Sequence, residues 1–189
     1  MKQKTPHGTL EVITDPMFSG KTNALLQKIE KMKVKTQLFK AAHDTRYSKN
    51  AIVSHDGKKM PAITVRTAKE ILKHLAPRTA LVAIDEGQFF GPQLIPVVHT
   101  LLATGRNVVI SGLSITYDQK PFPPLPDLMT EAEKVTKLTA KCADCGRPAA
   151  FHTRTARITS NNMLNKSFVG GAESYKPLCR TCLPVGRAA

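Results

Sequence analysis

The chain has 189 residues, a 41% hydrophobic share and a formal charge of +14. That share supports a folded core rather than disorder, and the length fits one α/β domain plus a small appended module. Its longest apolar runs, such as Ala80–Ile84 and Val108–Ile110, fall far short of the roughly 20 residues that span a bilayer. The basic N-terminus has no apolar stretch behind it, so no secretory signal is read there and a cytoplasmic protein is expected.

Gly8–Thr14 is short, β-branched and apolar, and reads as a strand. A turn-rich loop follows, then a helix from near Thr22 with Leu25, Leu26, Ile29 and Met32 on one face. Lys28, Lys31, Lys33 and Lys35 form the densest basic stretch and read as a solvated helix face, with a polyanion surface as the alternative. Thr36–Ala42 is the second strand, His43–Met60 a polar loop, and Ile63–Val65 a short strand. Thr67 is placed to cap a helix over Ala68–Leu75. Ala80–Ile84 is a buried strand ending in Asp85 and Glu86, Gln93–Ala103 a helix closed by Gly105, and Asn107–Ser111 another buried strand. Strands alternating with helices predict a parallel sheet with helices on both faces. Ligands then bind at the carboxyl ends of its strands, where Asp15 and Asp85 lie. The proline-rich stretch Pro121–Pro126 is loop, Asp127–Glu133 a short helix, and Val135–Ala140 a strand leading to the first cysteine pair.

Asp15-Pro16-Met17-Phe18-Ser19-Gly20-Lys21-Thr22 matches G-x-x-x-x-G-K-[ST] at every defined position but the first. Between a strand and a helix, its backbone N–H groups would converge on the phosphates of ATP. Lys21 would add a point charge, and the Thr22 hydroxyl a Mg²⁺ ligand. Asp15 stands where glycine would accept a positive φ, at a cost of about 1–2 kcal/mol. Its carboxylate would repel phosphate unless it turned outward. Asp85 and Glu86 read as a Mg²⁺-holding acid and a general base; alone, they would equally fit a strand end capped by solvated acids.

The four cysteines are Cys142, Cys145, Cys179 and Cys182, two C-x-x-C pairs. Four thiolates close a tetrahedral, structural Zn²⁺ site with no open position; free or redox thiols are the alternative. The pairs bracket Phe151–Tyr175, a stapled excursion that can act as a lid. The expected partition is a nucleotide-binding domain over 1–140 and a zinc-binding lasso module over 141–189.

Together these features resemble the type II thymidine kinases. The matching pieces are Pro16–Thr22 (PMFSGKT), Asp44–Ser48 (DTRYS), Ser54–Gly57 (SHDG), Asp85–Phe90 (DEGQFF), Gln119–Phe122 (QKPF), the V-x-K-L-x-A-x-C run Val135–Cys142, and GGAESY ahead of CRTC within Gly170–Cys182. The resemblance implies a P-loop NTPase-like (RecA-like) sheet with a small zinc ribbon. It implies transfer of the γ-phosphoryl of ATP to the 5′-hydroxyl of thymidine, with Glu86 as base. Lys21, Thr22, Asp44 and Arg46 would handle phosphates and Mg²⁺, and Gln88 joins the nucleotide-binding set. Met17, Leu113, Tyr117 and Phe122 would surround the base. The backbone of Lys166, Ser167, Phe168, Val169 and Gly170 would bond the thymine edge, and the Tyr175 hydroxyl would face the substrate. A homo-tetramer inhibited by thymidine triphosphate is also implied.

The chain departs from the family pattern at several places. Asp15 replaces the usual glycine. Gly112-Leu113-Ser114-Ile115-Thr116-Tyr117 stands where G-L-D-G-T-F is frequent, so Ser114 replaces an acid and Tyr117 another aromatic ring. His152 stands near a small hydroxyl residue of the family pocket. Asp15 and Ser114 keep open a degenerate homologue that binds nucleotides without turnover. The charge and the cysteine pairs suggest a zinc-ribbon nucleic-acid binder, but the chain lacks the interleaved aromatics of a stacking platform.

Overall fold

Apolar residues alternate along the central strands, and each alternation feeds a different layer. A computed structural model of the protein describes residues 7–42, 51–53, 57, 59–155 and 174–184. Strands β1 (Leu10–Thr14), β2 (Thr36–Ala41), β5 (Ile63–Val65), β6 (Leu81–Asp85), β7 (Asn107–Gly112) and β8 (Lys134–Lys137) form one six-stranded sheet in the order β5-β2-β6-β7-β1-β8. Every pairing in it is parallel.

On one face Leu10, Val12, Phe39, Val82, Ile84, Val108 and Ile110 pack against helices α2 (Ala68–Lys73), α3 (Leu94–Ala103) and α4 (Leu125–Glu131). On the other, Ile13, Leu38, Leu81, Ala83 and Val109 meet Leu25, Leu26 and Ile29 of α1 (Lys21–Met32). The expected layering, helices on both faces of a parallel sheet, is therefore observed. Each fully buried Leu or Ile contributes about 1.5–3 kcal/mol, so this two-sided core fixes the strand order firmly.

Most expected elements appear within a residue or two of their sequence-based limits. The polar segment after β2 differs. It contains an antiparallel hairpin, β3 (Ala51–Val53) with β4 (Lys59–Pro61). Ile52 is buried against the α1 side of the core, which gives that hairpin its anchor. A 3-10 segment over Gly87–Gln93 also precedes α3. Thr67 sits at the head of α2 in extended conformation but makes no side-chain cap. Glu70 instead reaches back, accepting the Arg66 N–H at 2.9 Å.

Of the basic run, Lys28 pairs with Glu11 at 2.6 Å and Lys35 donates to the Pro77 carbonyl at 2.8 Å. Two of its four ammonium groups are thus turned onto the protein itself. The expected strand over Val135–Ala140 is split into β8 and β9 (Ala140–Lys141). β9 pairs with β10 (Pro148–Ala149), and β11 (Phe151–Arg154) with β12 (Tyr175–Leu178), both antiparallel. The two ends of the cysteine-bracketed excursion are therefore hydrogen-bonded to each other. No helix among the described residues is long and apolar enough to cross a membrane.

Candidate active site at the carboxyl ends of three adjacent strands

Strands β6, β7 and β1 are neighbours, so the segments that leave their carboxyl ends share one edge of the sheet. β1 leads into the phosphate loop. Asp15, Phe18 and Gly20 all have positive φ, at 41°, 64° and 82°, which turns the chain sharply before α1 begins. The first turn of α1 carries no acidic residue, so its N–H end is left for an anion. Pro16 offers its carbonyl to the Ser19 hydroxyl at 2.8 Å and to the Lys21 ammonium at 2.7 Å. Lys21 is nearly buried, held against its own loop, and a phosphate oxygen would compete with that carbonyl for its protons.

β6 ends at Asp85, which is 4% exposed. Its Oδ2 accepts the Thr22 hydroxyl at 3.2 Å, and its Oδ1 accepts the Ser111 hydroxyl from β7. Adjacent oxygens around octahedral Mg²⁺ at about 2.1 Å lie about 3 Å apart. The Thr22 and Asp85 oxygens thus have the spacing that a shared Mg²⁺ requires. Ser111 has no sequence signal of its own; only the adjacency of β6 and β7 brings it there.

Glu86 follows in left-handed conformation, φ 53° and ψ 47°, at the head of the 3-10 segment. This left-handed turn ends the strand directly after Asp85. Gln88 Nε2 donates to Glu86 Oε2 at 2.6 Å, and Gln88 Oε1 accepts the Leu113 N–H at 3.0 Å. Gln88 is 1% exposed, and its amide is engaged with the acid and with the loop after β7. A Cβ on Gly112 would fall 2.4 Å from Gln88 Oε1, so glycine is needed for this close approach.

Asp15 does not turn out to solvent. Its carboxylate is fully buried, accepting the Ser114 N–H at 2.7 Å and also the Ser114 hydroxyl. Lys137, at the end of β8, approaches it at 3.9 Å.

On the cysteine-rich side, the Arg154 guanidinium stacks 4.1 Å over the Tyr117 ring, and His152 meets buried Tyr175 edge-on at 6.0 Å. Sequence reasoning did not single out Arg154, whose packing partner is remote in the chain. His152 is 2% exposed, and its Nδ1 has no hydrogen-bond partner among the described residues. Burial, reinforced by the positive charge of Lys21 and partly offset by Asp15, lowers its pKa to about 4. The imidazole is therefore neutral at physiological pH.

Met17, Leu113, Tyr117 and Phe122 are all partly exposed around this edge. Asp44, Arg46, Lys166, Ser167, Phe168, Val169 and Gly170 lie outside the described residues.

The ligand sulfurs of Cys142, Cys145, Cys179 and Cys182 all lie within 4.8 Å of one another. Sulfurs around tetrahedral Zn²⁺ are about 3.8 Å apart, and Cys145 and Cys179 stand at 3.6 Å. The Cys179 N–H points at Cys142 Sγ at 3.3 Å, as expected of a site built for thiolates. A hydrogen bond from the Arg147 side chain is the largest effect pulling Cys145 down to about 6. Hydrogen bonding to Cys145 leads the effects that push Cys182 up to about 12, since clustered sulfurs cannot all carry charge without a cation. Geometry and donor chemistry both fit zinc. Cys142 and Cys179 also pack with Ala140, Ala149 and Leu178 into a small core of their own.

The expected phosphate loop between a strand and a helix, an Asp-Glu strand end and a four-cysteine cluster thus occur in one chain. The thymidine kinase family model matches residues 8–183, and the chain belongs to the thymidine kinase family.

Proposed function

We propose that this protein is an active thymidine kinase, transferring the γ-phosphoryl of ATP to the 5′-hydroxyl of thymidine. The observation that carries the reading is the meeting of Thr22 with Asp85, and of Glu86 with Gln88, at neighbouring strand ends, with Lys21 next to Thr22 and held on its own loop. In the proposed reaction the 5′-oxygen attacks the γ-phosphorus in line, and the bond from that phosphorus to the β,γ-bridging oxygen breaks. The hydroxyl proton passes to Glu86, and ADP leaves.

Lys21 exchanges the Pro16 carbonyl for phosphate oxygen. Thr22 and Asp85 would hold Mg²⁺, which supplies charge neutralisation at the phosphates when bound. Protein catalysis here is mainly positioning and electrostatics. Asp44 and Arg46 would assist at the phosphates. Lys166–Gly170 would contribute backbone contacts to the base, with Met17, Leu113, Tyr117, Phe122 and Tyr175 around it.

The cysteine cluster supports a structural Zn²⁺ that staples β9–β12, and so the ends of the lid, beside the site. A homo-tetramer and feedback by thymidine triphosphate belong to the same reading; sizing with and without that nucleotide, and inhibition by it, test both.

The deciding experiment is a nucleoside panel with ATP and Mg²⁺, read as monophosphate product. Thymidine should be the best acceptor. A parent protein that binds ATP but phosphorylates none of the panel would overturn the proposal.

A further inference from the structure

A buried acid at the mouth of a phosphate loop opposes anion binding, so Asp15 needs a compensating purpose. Its contacts supply one. Asp15 Oδ1 accepts the Ser114 N–H at 2.7 Å, and Oδ2 accepts the Ser114 hydroxyl. The Ser114 carbonyl in turn accepts the Phe122 N–H at 2.9 Å, closing the loop that carries Leu113, Tyr117 and Phe122. One carboxylate thus ties the start of the donor-phosphate loop to the segment assigned to the nucleoside.

We propose that Asp15 and Ser114 form a clasp that sets the expected phosphate loop against the nucleoside-side loop through a single shared carboxylate. Asp15 is then a positioning residue. The contact is sealed from solvent, so it accommodates one carboxylate and its donors but not two carboxylates. Removing the acid leaves the Ser114 N–H without its partner. A glycine at 15 would relax the positive φ there, and an aspartate at 114 would supply a carboxylate to the same contact from the other side. The catalytic readout of this idea rests on the kinase reading.

The test is a double-mutant cycle of the full chain: parent, Asp15→Gly, Ser114→Asp and the double variant. Each is read by thermal midpoint, ATP·Mg²⁺ dissociation constant, and KM and kcat for thymidine. Each single change should lower kcat/KM about tenfold or more, with the constants for ATP and thymidine both rising. The double variant should recover to within about threefold of the parent and melt above either single variant. Should Ser114→Asp prove insoluble, a soluble and active double variant is the same compensation. A clasp with a purely structural role would move the melting temperature alone.

The proposal is overturned if Asp15→Gly matches the parent, or if the double variant is no better than the worse single. A parent that phosphorylates no nucleoside would sink the kinase reading instead. The cycle in melting temperature and ATP affinity would still decide the clasp.

Discussion

Replacing Gln88 with alanine should cripple the enzyme while leaving every presumed reacting group in place. The side chain is 1% exposed and makes two bonds, to Glu86 at 2.6 Å and from the Leu113 N–H at 3.0 Å. The bond to a carboxylate contributes about 1.5–3 kcal/mol. Glu86 is partly exposed, so water recovers some of it and the lower figure applies. Stranding the Leu113 N–H costs about 1–3 kcal/mol. Together these predict a loss of about 2.5–4.5 kcal/mol, or about 5–18 °C in Tm for a chain of this size. Freed from Gln88, Glu86 can rotate away from the attacking hydroxyl. A general base supplies about 10²–10⁴ in rate, so partial misplacement should lower kcat by about 10–100-fold. Gln88→Glu keeps the shape but sets a second carboxylate against the first, and should do no better. The assay is steady-state thymidine phosphorylation at saturating ATP, beside thermal melting. A Gln88→Ala protein with kcat within about twofold of the parent would refute the reasoning, whatever its Tm.

Three further outcomes follow from the site. Glu86→Gln should retain ATP binding yet lose about 10²-fold or more in kcat; an equal rate in purified mutant and parent removes the base assignment. His152 has a pKa near 4 when folded against an ordinary 6.5. Between these values the unfolded chain binds a proton that the folded one refuses, so stability falls as pH drops through that window, by about 3 kcal/mol in all. In urea titrations of the ligand-free protein, His152→Gln should show a correspondingly smaller fall between pH 6.5 and pH 4, and identical slopes would discount the imidazole. Cys179→Ser should abolish equimolar zinc in elemental analysis and lower Tm. A parent that purifies without zinc and resists chelators would contradict the structural role.

Local patterns were enough for much of this molecule. The short, near-continuous apolar runs of β1, β2, β6 and β7 and the spacing of Leu25, Leu26 and Ile29 mark the layers directly, because a sheet covered on both faces buries successive residues. The loop Pro16–Thr22, the Asp85–Glu86 end and the cysteine pairs were equally plain, since their chemistry depends on residues close in sequence. The β3–β4 hairpin was hidden because three-residue strands carry too few alternations to stand out from a polar stretch. The destination of the Asp15 carboxylate was hidden for another reason: its partner is 99 residues away. Arg154 over Tyr117 and Ser111 on Asp85 are of the same kind.

What joins these remote contacts is the strand order. β7 lies between β6, which delivers Asp85 and Glu86, and β1, which delivers the phosphate loop. Whatever leaves the end of β7 must pass between Glu86, the proposed base, and the loop proposed to hold the donor. Gly112 has no side chain, which lets Gln88 come close. Leu113 gives its N–H to Gln88, and through it steadies Glu86. Ser114 gives its N–H and hydroxyl to Asp15 and takes the Phe122 N–H on its carbonyl. Three consecutive residues with no acid or base among them thus link the loop at Asp15, Glu86 and the segment that carries Phe122. Sequence reading attends to the groups that do chemistry and passes over such a segment. The parallel order β6-β7-β1 makes it the place where a change in one half of the site is transmitted to the other.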